Sequence, residues 1–93
     1  MEKIGWHCFL NLCLATQNDK MLSELFDLLL TPEEKSSIET RCLIVQALLD
    51  QKISQRKISE TCNVSIAKIT RGSNELKRIS PQLKRYLMKT LFN

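Results

Sequence analysis

Ninety-three residues make one domain, 1–93, and a chain of that length buries only enough apolar surface for marginal stability on its own. With 43% apolar residues but only two Gly, two Pro, one Trp, one Tyr and three Phe, the composition suits a compact all-helical chain and argues against a sheet protein. No apolar run approaches the roughly 20 residues of a membrane span, and no signal peptide is expected ahead of the first helix. The net charge of +4 is unevenly placed: residues 1–51 hold four basic against eight acidic side chains, whereas residues 52–93 hold ten basic against two acidic, Glu60 and Glu75. A local charge of +8 is the footprint of a surface that neutralises phosphates, a solvated basic face being the plainer alternative.

In chain order, a helix is expected from about Ile4 to Thr16, with Trp6, Phe9 or Leu10, and Cys13 on one apolar stripe, broken by Asn18-Asp19. A second helix, about Lys20 to Leu30, is apolar on most of its surface through Met21, Leu22, Leu25, Phe26, Leu28 and Leu29. So much apolar surface on a short helix implies cover from both sides, either an internal core position or a partner subunit. Thr31-Pro32-Glu33-Glu34 is a helix start: Thr31 caps, Pro32 takes the first helical position and Glu34 completes a capping box. The helix it opens runs to about Asp50 and is expected to bury Ile38, Cys42, Val45, Leu48 and Leu49. Residues 54–77 then have the form of two short helices joined by a tight turn. Ser54 caps a helix carrying Ile58 and Cys62, Asn63 accepts the left-handed turn, and Ser65 caps a helix whose Ile66, Ile69 and Leu76 face the core. Lys68, Arg71 and Lys77 are left to face a partner, the layout of a helix-turn-helix. Ser80-Pro81 starts a last helix with Leu83, Leu87 and Leu91 at four-residue spacing beside Tyr86.

Four cysteines at 8, 13, 42 and 62 form no Cys-x-x-Cys pair, and His7 has no partner at metal-ligand spacing, so no metal site is expected. Cys13, Cys42 and Cys62 fall on apolar phases and read as small buried residues in a reducing cytoplasm. Nothing pairs a nucleophile with a base in an arrangement that argues for catalysis, and the chain is not expected to be an enzyme.

Ile69-Thr70-Arg71-Gly72-Ser73-Asn74 with Leu76-Lys77 closely resembles the recognition helix of the tryptophan repressor family. Leu30-Thr31-Pro32-Glu33-Glu34, Thr40-Arg41, Ile44-Val45 with Leu48-Leu49, and Ser54-Gln55-Arg56 resemble further family blocks, in the same order and at the same separations. Together the resemblance covers roughly residues 28 to 91, and Trp6, Phe9 and Leu12 agree more loosely. The resemblance implies an all-α, six-helix chain in an intertwined homodimer, with the first three helices and the last of both chains in a shared core and two helix-turn-helix units projecting from it. It also implies that the longer N-terminal arm of some relatives is missing.

By the same resemblance, Arg41 and Arg71 flank the indole of bound L-tryptophan, acting as corepressor, and Arg71 also pairs with its carboxylate; Arg suits both tasks. Gly72 leaves room for a flat ring against the backbone. The carbonyls of Leu28 and Leu30 and the hydroxyl of Thr31 correspond to the part that holds the amino acid's polar end. Taken residue by residue, an intrachain ion pair for Arg41 and a phosphate contact for Arg71 are the ordinary alternatives. Glu75 departs from the small hydroxyl residue common in the family: it could pair with the ligand's ammonium group or, in the empty site, with Arg71. Lys68 is a second departure and should add a phosphate contact.

For double-stranded operator DNA the resemblance assigns positioning contacts to Gln55, Thr70, Ser73 and Lys77, while Arg56 and the exposed start of the second helix, Ile66-Ala67, face base edges. Methyl groups there suit thymine contacts and a close, water-filled approach, so specificity rests partly on water and DNA shape; the tryptophan repressor is itself the known example of water-mediated readout. Three readings compete: a cytoplasmic tryptophan-responsive repressor, a helix-turn-helix module of another regulator or transposase without a tryptophan ligand, and a purely structural dimerisation domain.

Overall fold

The computed structural model describes residues 3–92. Its order is α1 (Ile4–Ala15), α2 (Asp19–Leu29), α3 (Pro32–Asp50), α4 (Gln55–Cys62), α5 (Ile66–Leu76) and α6 (Pro81–Phe92), with no strand among the described residues. The chain is all-α, as expected. Among the described residues no helix is long and apolar enough to cross a membrane. The contacts divide it into two compact units, residues up to 36 and residues from 37 onward, with α3 beginning in the first and continuing through the second.

In the first unit, side chains with local hydrogen-bonding capacity set the helix limits. Thr16 takes an extended backbone, so α1 ends at Ala15, one residue short of expectation, while its hydroxyl donates to the Cys13 carbonyl at 2.7 Å. Asn18 caps α2, its Oδ1 accepting from the Met21 N–H at 2.8 Å, and the helix starts at Asp19, one residue before the expected Lys20. The capping box of α3 forms reciprocally: Thr31 N–H donates to Glu34 Oε1 at 2.9 Å and Glu34 N–H to Thr31 Oγ1 at 3.1 Å. Trp6, Phe9 and Phe26 make an aromatic row with ring centroids 5.2 and 6.2 Å apart, and Lys35 pairs with Asp27. Yet neither α1 nor α2 has a buried residue; Leu14 and Leu28 are more than four-fifths exposed.

The second unit has a core of three isoleucines, Ile44 from α3, Ile58 from α4 and Ile69 from α5, with Ala47, Leu48, Cys62 and Val64 packed around it. Three expectations are corrected here. Along α3 the buried residue is Ile44, not Ile38, which is exposed. Cys42 is exposed rather than buried, because two residues of helix turn it about 200° from Ile44, away from α4 and α5; Cys13 and Cys62 are half-buried. Ile66, grouped by its phase with Ile69 and Leu76, is 49% exposed: it is the first residue of α5, and the cover that seals Ile69 one turn later does not extend to it. α3 stops at Gln51, held left-handed at φ 59°, a terminator that composition did not announce.

Candidate functional site

The helix-turn-helix is built by its caps. Ser54 Oγ accepts from the Lys57 N–H at 3.1 Å and Ser65 Oγ from the Lys68 N–H at 3.3 Å, so each helix starts on a satisfied donor. Between them Asn63 sits at φ 55°, ψ 49°, the left-handed turn its side chain tolerates. Ser59 then clasps the turn from both sides. Its carbonyl accepts from the Val64 N–H at 3.1 Å, and its hydroxyl donates to the Val64 carbonyl. Ile58 and Ile69, 1% and 0% exposed, lock α4 to α5 from beneath.

This framework leaves the opposite surface open. Gln55, Arg56, Ile66, Ala67, Lys68, Thr70 and Lys77 are exposed, and Ser73 is half-buried. The Thr70 hydroxyl lies 3.1 Å from the Ile66 carbonyl and 3.5 Å from Gln55 Oε1. One proton serves both, so the nearer carbonyl is the stronger partner and the Gln55 contact is marginal. The contact nonetheless brings the start of α4 to the middle of α5 and leaves the Gln55 amide protons as donors. Ile66, Ala67 and Lys68 form the first turn of α5, a small apolar step with a cation beside it.

Arg71, Gly72 and Glu75 follow on the next turn of α5. A methyl group placed on Gly72 would meet Ile44 Cγ2 and Leu48 Cδ1, both at 3.5 Å, so α5 approaches α3 closely there without needing glycine to avoid a clash. Arg41 lies one turn before Ile44 on α3 and is exposed, as is Arg71. Arg71 makes no ion pair among the described residues. Glu75 takes neither expected partner but Arg78: its Oε1 lies 3.4 Å from Arg78 Nη1, with both side chains well exposed. The i,i+3 spacing of Glu75 and Arg78 was the available signal. In the first unit, Leu28 is 81% exposed, Leu30 ends α2 by donating its N–H to the Phe26 carbonyl, and the Thr31 hydroxyl is occupied as acceptor in the capping box. A shallow hollow of about 490 Å³ is lined by Ile4, His7, Cys8, Asn11 and Leu12, all from one face of α1.

No group of three or more His, Cys, Asp or Glu among the described residues could hold a metal ion. On α4, α5 and the turn between them the structure presents exposed cationic and polar side chains, and Arg41 and Arg71 are both exposed.

The model of the Trp repressor protein family matches residues 4–91. A Trp operon repressor homolog of Chlamydia trachomatis is 46% identical over 90 residues, covering 97% of this chain and 96% of that protein. Namesakes from Mannheimia succiniciproducens and Pasteurella multocida are 44% and 37% identical, covering 90% and 92% of this chain and 83% and 84% of their own lengths. With the family model matching residues 4–91 and a relative 46% identical across nearly its whole length, this chain belongs to the Trp repressor family.

Proposed function

We propose that the protein is a tryptophan-responsive transcriptional repressor that acts as a homodimer on a palindromic operator. The observation that carries this reading is the first turn of α5: Ile66, Ala67 and Lys68 stand exposed on a helix fixed from beneath by the buried Ile58–Ile69 contact. A helix held that rigidly, with a small apolar tip and cations on its flanks, suits insertion into the major groove. Lys68 and Lys77 would neutralise phosphates, Gln55, Thr70 and Ser73 would hydrogen-bond them, and Arg56 would reach a base edge.

Dimerisation is supported by the state of the apolar surface. A first unit without a buried residue in α1 or α2, with Trp6 at 57% and Leu28 at 81% exposure, leaves side chains whose full cover is worth about 1.5–3 kcal/mol each. A second copy supplies like surface in return.

L-tryptophan would enter beside Gly72, its ring between the guanidinium groups of Arg41 and Arg71 and its carboxylate on Arg71. Wedged there, it would hold the two reading heads about one turn of DNA apart, near 34 Å. A ligand that favours this arrangement by about 3 kcal/mol raises DNA affinity about 150-fold, and DNA must tighten tryptophan binding by the same factor.

The test is a titration of operator DNA, enriched by the protein itself from a random pool, with and without saturating L-tryptophan at one fixed salt concentration. Equal affinities refute the corepressor mechanism. DNA binding without any thermal shift by tryptophan would instead mark a ligand-free helix-turn-helix module.

A further inference from the structure

α6 is the one helix of the six that carries cations and no carboxylate: Lys84, Arg85 and Lys89 stand in a segment with no Asp or Glu from Leu76 to Phe92. All three side chains are exposed, and none makes an ion pair among the described residues. At about 100° per residue, Arg85 and Lys89 lie on the side of α6 roughly opposite Leu83, Leu87 and Leu91. Leu87 and Leu91 are the half-buried residues of this helix, so the leucine stripe marks its inner side. Whatever apolar surface covers that stripe, the two cations stay outside it. They are also one helical turn apart, and like charges at that spacing repel, which offsets what Lys89 gains from the helix dipole in the last turn.

The cations continue a run that begins on the reading surface. Lys77 and Arg78 follow α5 directly, and only Ile79 and Ser80 separate them from α6. Arg78 is partly neutralised by Glu75, whereas Arg85 and Lys89 have no such counter-charge. A polyanion is the partner whose charge complements a run of cations of this kind, and the run starts at a phosphate-contact residue of the proposed DNA surface.

We propose that the Arg85–Lys89 face of α6 binds phosphates of DNA flanking each half-site, extending the footprint beyond the bases read by α5. The proposal rests on the operator-binding reading above. Two cations from each of two protomers would release counterions at about four phosphates, at ~0.9 per phosphate in the salt dependence of affinity.

The experiment uses the enriched operator duplex in two lengths, a core form and one with about ten further base pairs, one helical turn, on each side. On the long duplex, Arg85→Gln/Lys89→Gln should lower the magnitude of the slope of log affinity against log salt by about 3 to 4. On the core duplex the variant and the parent should agree. Arg85→Lys/Lys89→Arg, which keeps both charges, should restore the parent slope. A long-duplex slope equal to the parent's overturns the proposal, even where operator binding itself is intact, and leaves an acidic protein surface as the occupant. An equal loss from Lys3→Gln/Lys20→Gln, on the first unit, overturns it too, because net charge rather than position would then be responsible. If the parent enriches no operator at all, the repressor reading fails and this proposal with it.

Discussion

Replacing Gly72 with alanine separates a glycine kept for a ligand from one kept for packing. Gly72 is in the interior of α5, and its backbone has no positive φ that would demand glycine. Alanine in a helix interior is favoured over glycine by about 0.8–1.0 kcal/mol. The added methyl would meet Ile44 Cγ2 and Leu48 Cδ1 at 3.5 Å, an ordinary contact that neither clashes nor leaves a void. The unliganded protein should therefore gain about 1 kcal/mol per protomer, read as a rise in urea midpoint at constant slope. The ligand should suffer in the same variant. A ring seated against the α5 backbone would have to displace that methyl, and overpacking of this size costs about 1–3 kcal/mol, or roughly 5- to 150-fold in L-tryptophan affinity by calorimetry. The two readouts move in opposite directions only if the space is reserved for a ligand. A destabilised variant would show that the α3–α5 contact itself requires glycine. A more stable variant that binds tryptophan as the parent does would remove Gly72 from the site.

Ile69→Ala removes a wholly buried side chain from a three-residue core and should cost about 2–5 kcal/mol, followed by urea denaturation; a loss below about 1 kcal/mol would mean that α5 is held in place by something else. At Asn63, glycine should be tolerated within a few tenths of a kcal/mol while valine destabilises by more than about 1 kcal/mol, since the left-handed backbone penalises a branched side chain; similar melting of both variants would contradict the turn geometry. Arg71→Ala should abolish L-tryptophan binding in calorimetry without altering the fold, because the side chain is exposed and unpaired among the described residues. Glu75→Ser should weaken L-tryptophan relative to indole-3-propionate, which lacks the ammonium group; Arg78→Ala, by releasing Glu75, should do the reverse, and an identical effect on both ligands in each variant would exclude a role for Glu75 at the ammonium.

Local chemistry made much of this protein legible before any tertiary information. Ser54, Ser65, Asn63 and the Thr31–Glu34 box are caps and turns whose hydrogen bonds close within a few residues, and each lies where its sequence neighbours placed it. The matched blocks around Arg41, Gln55 and Ile69–Lys77 carried the family just as directly. What lay beyond the sequence was every choice that depends on which face meets which helix. α3 presents apolar residues around most of its circumference, so periodicity alone could not select Ile44 over Ile38 or turn Cys42 outward; the approach of α4 and α5 selected them. Ile66 and Ile69 share a phase, yet one is half exposed and the other sealed, because burial ends where the neighbouring helix ends. Glu75 likewise had two cations at neighbour spacing along the helix, Arg71 and Arg78, and took Arg78. Capping is decided by atoms three or four residues apart, whereas burial and ion-pair choice are decided by surfaces that only the folded chain brings together.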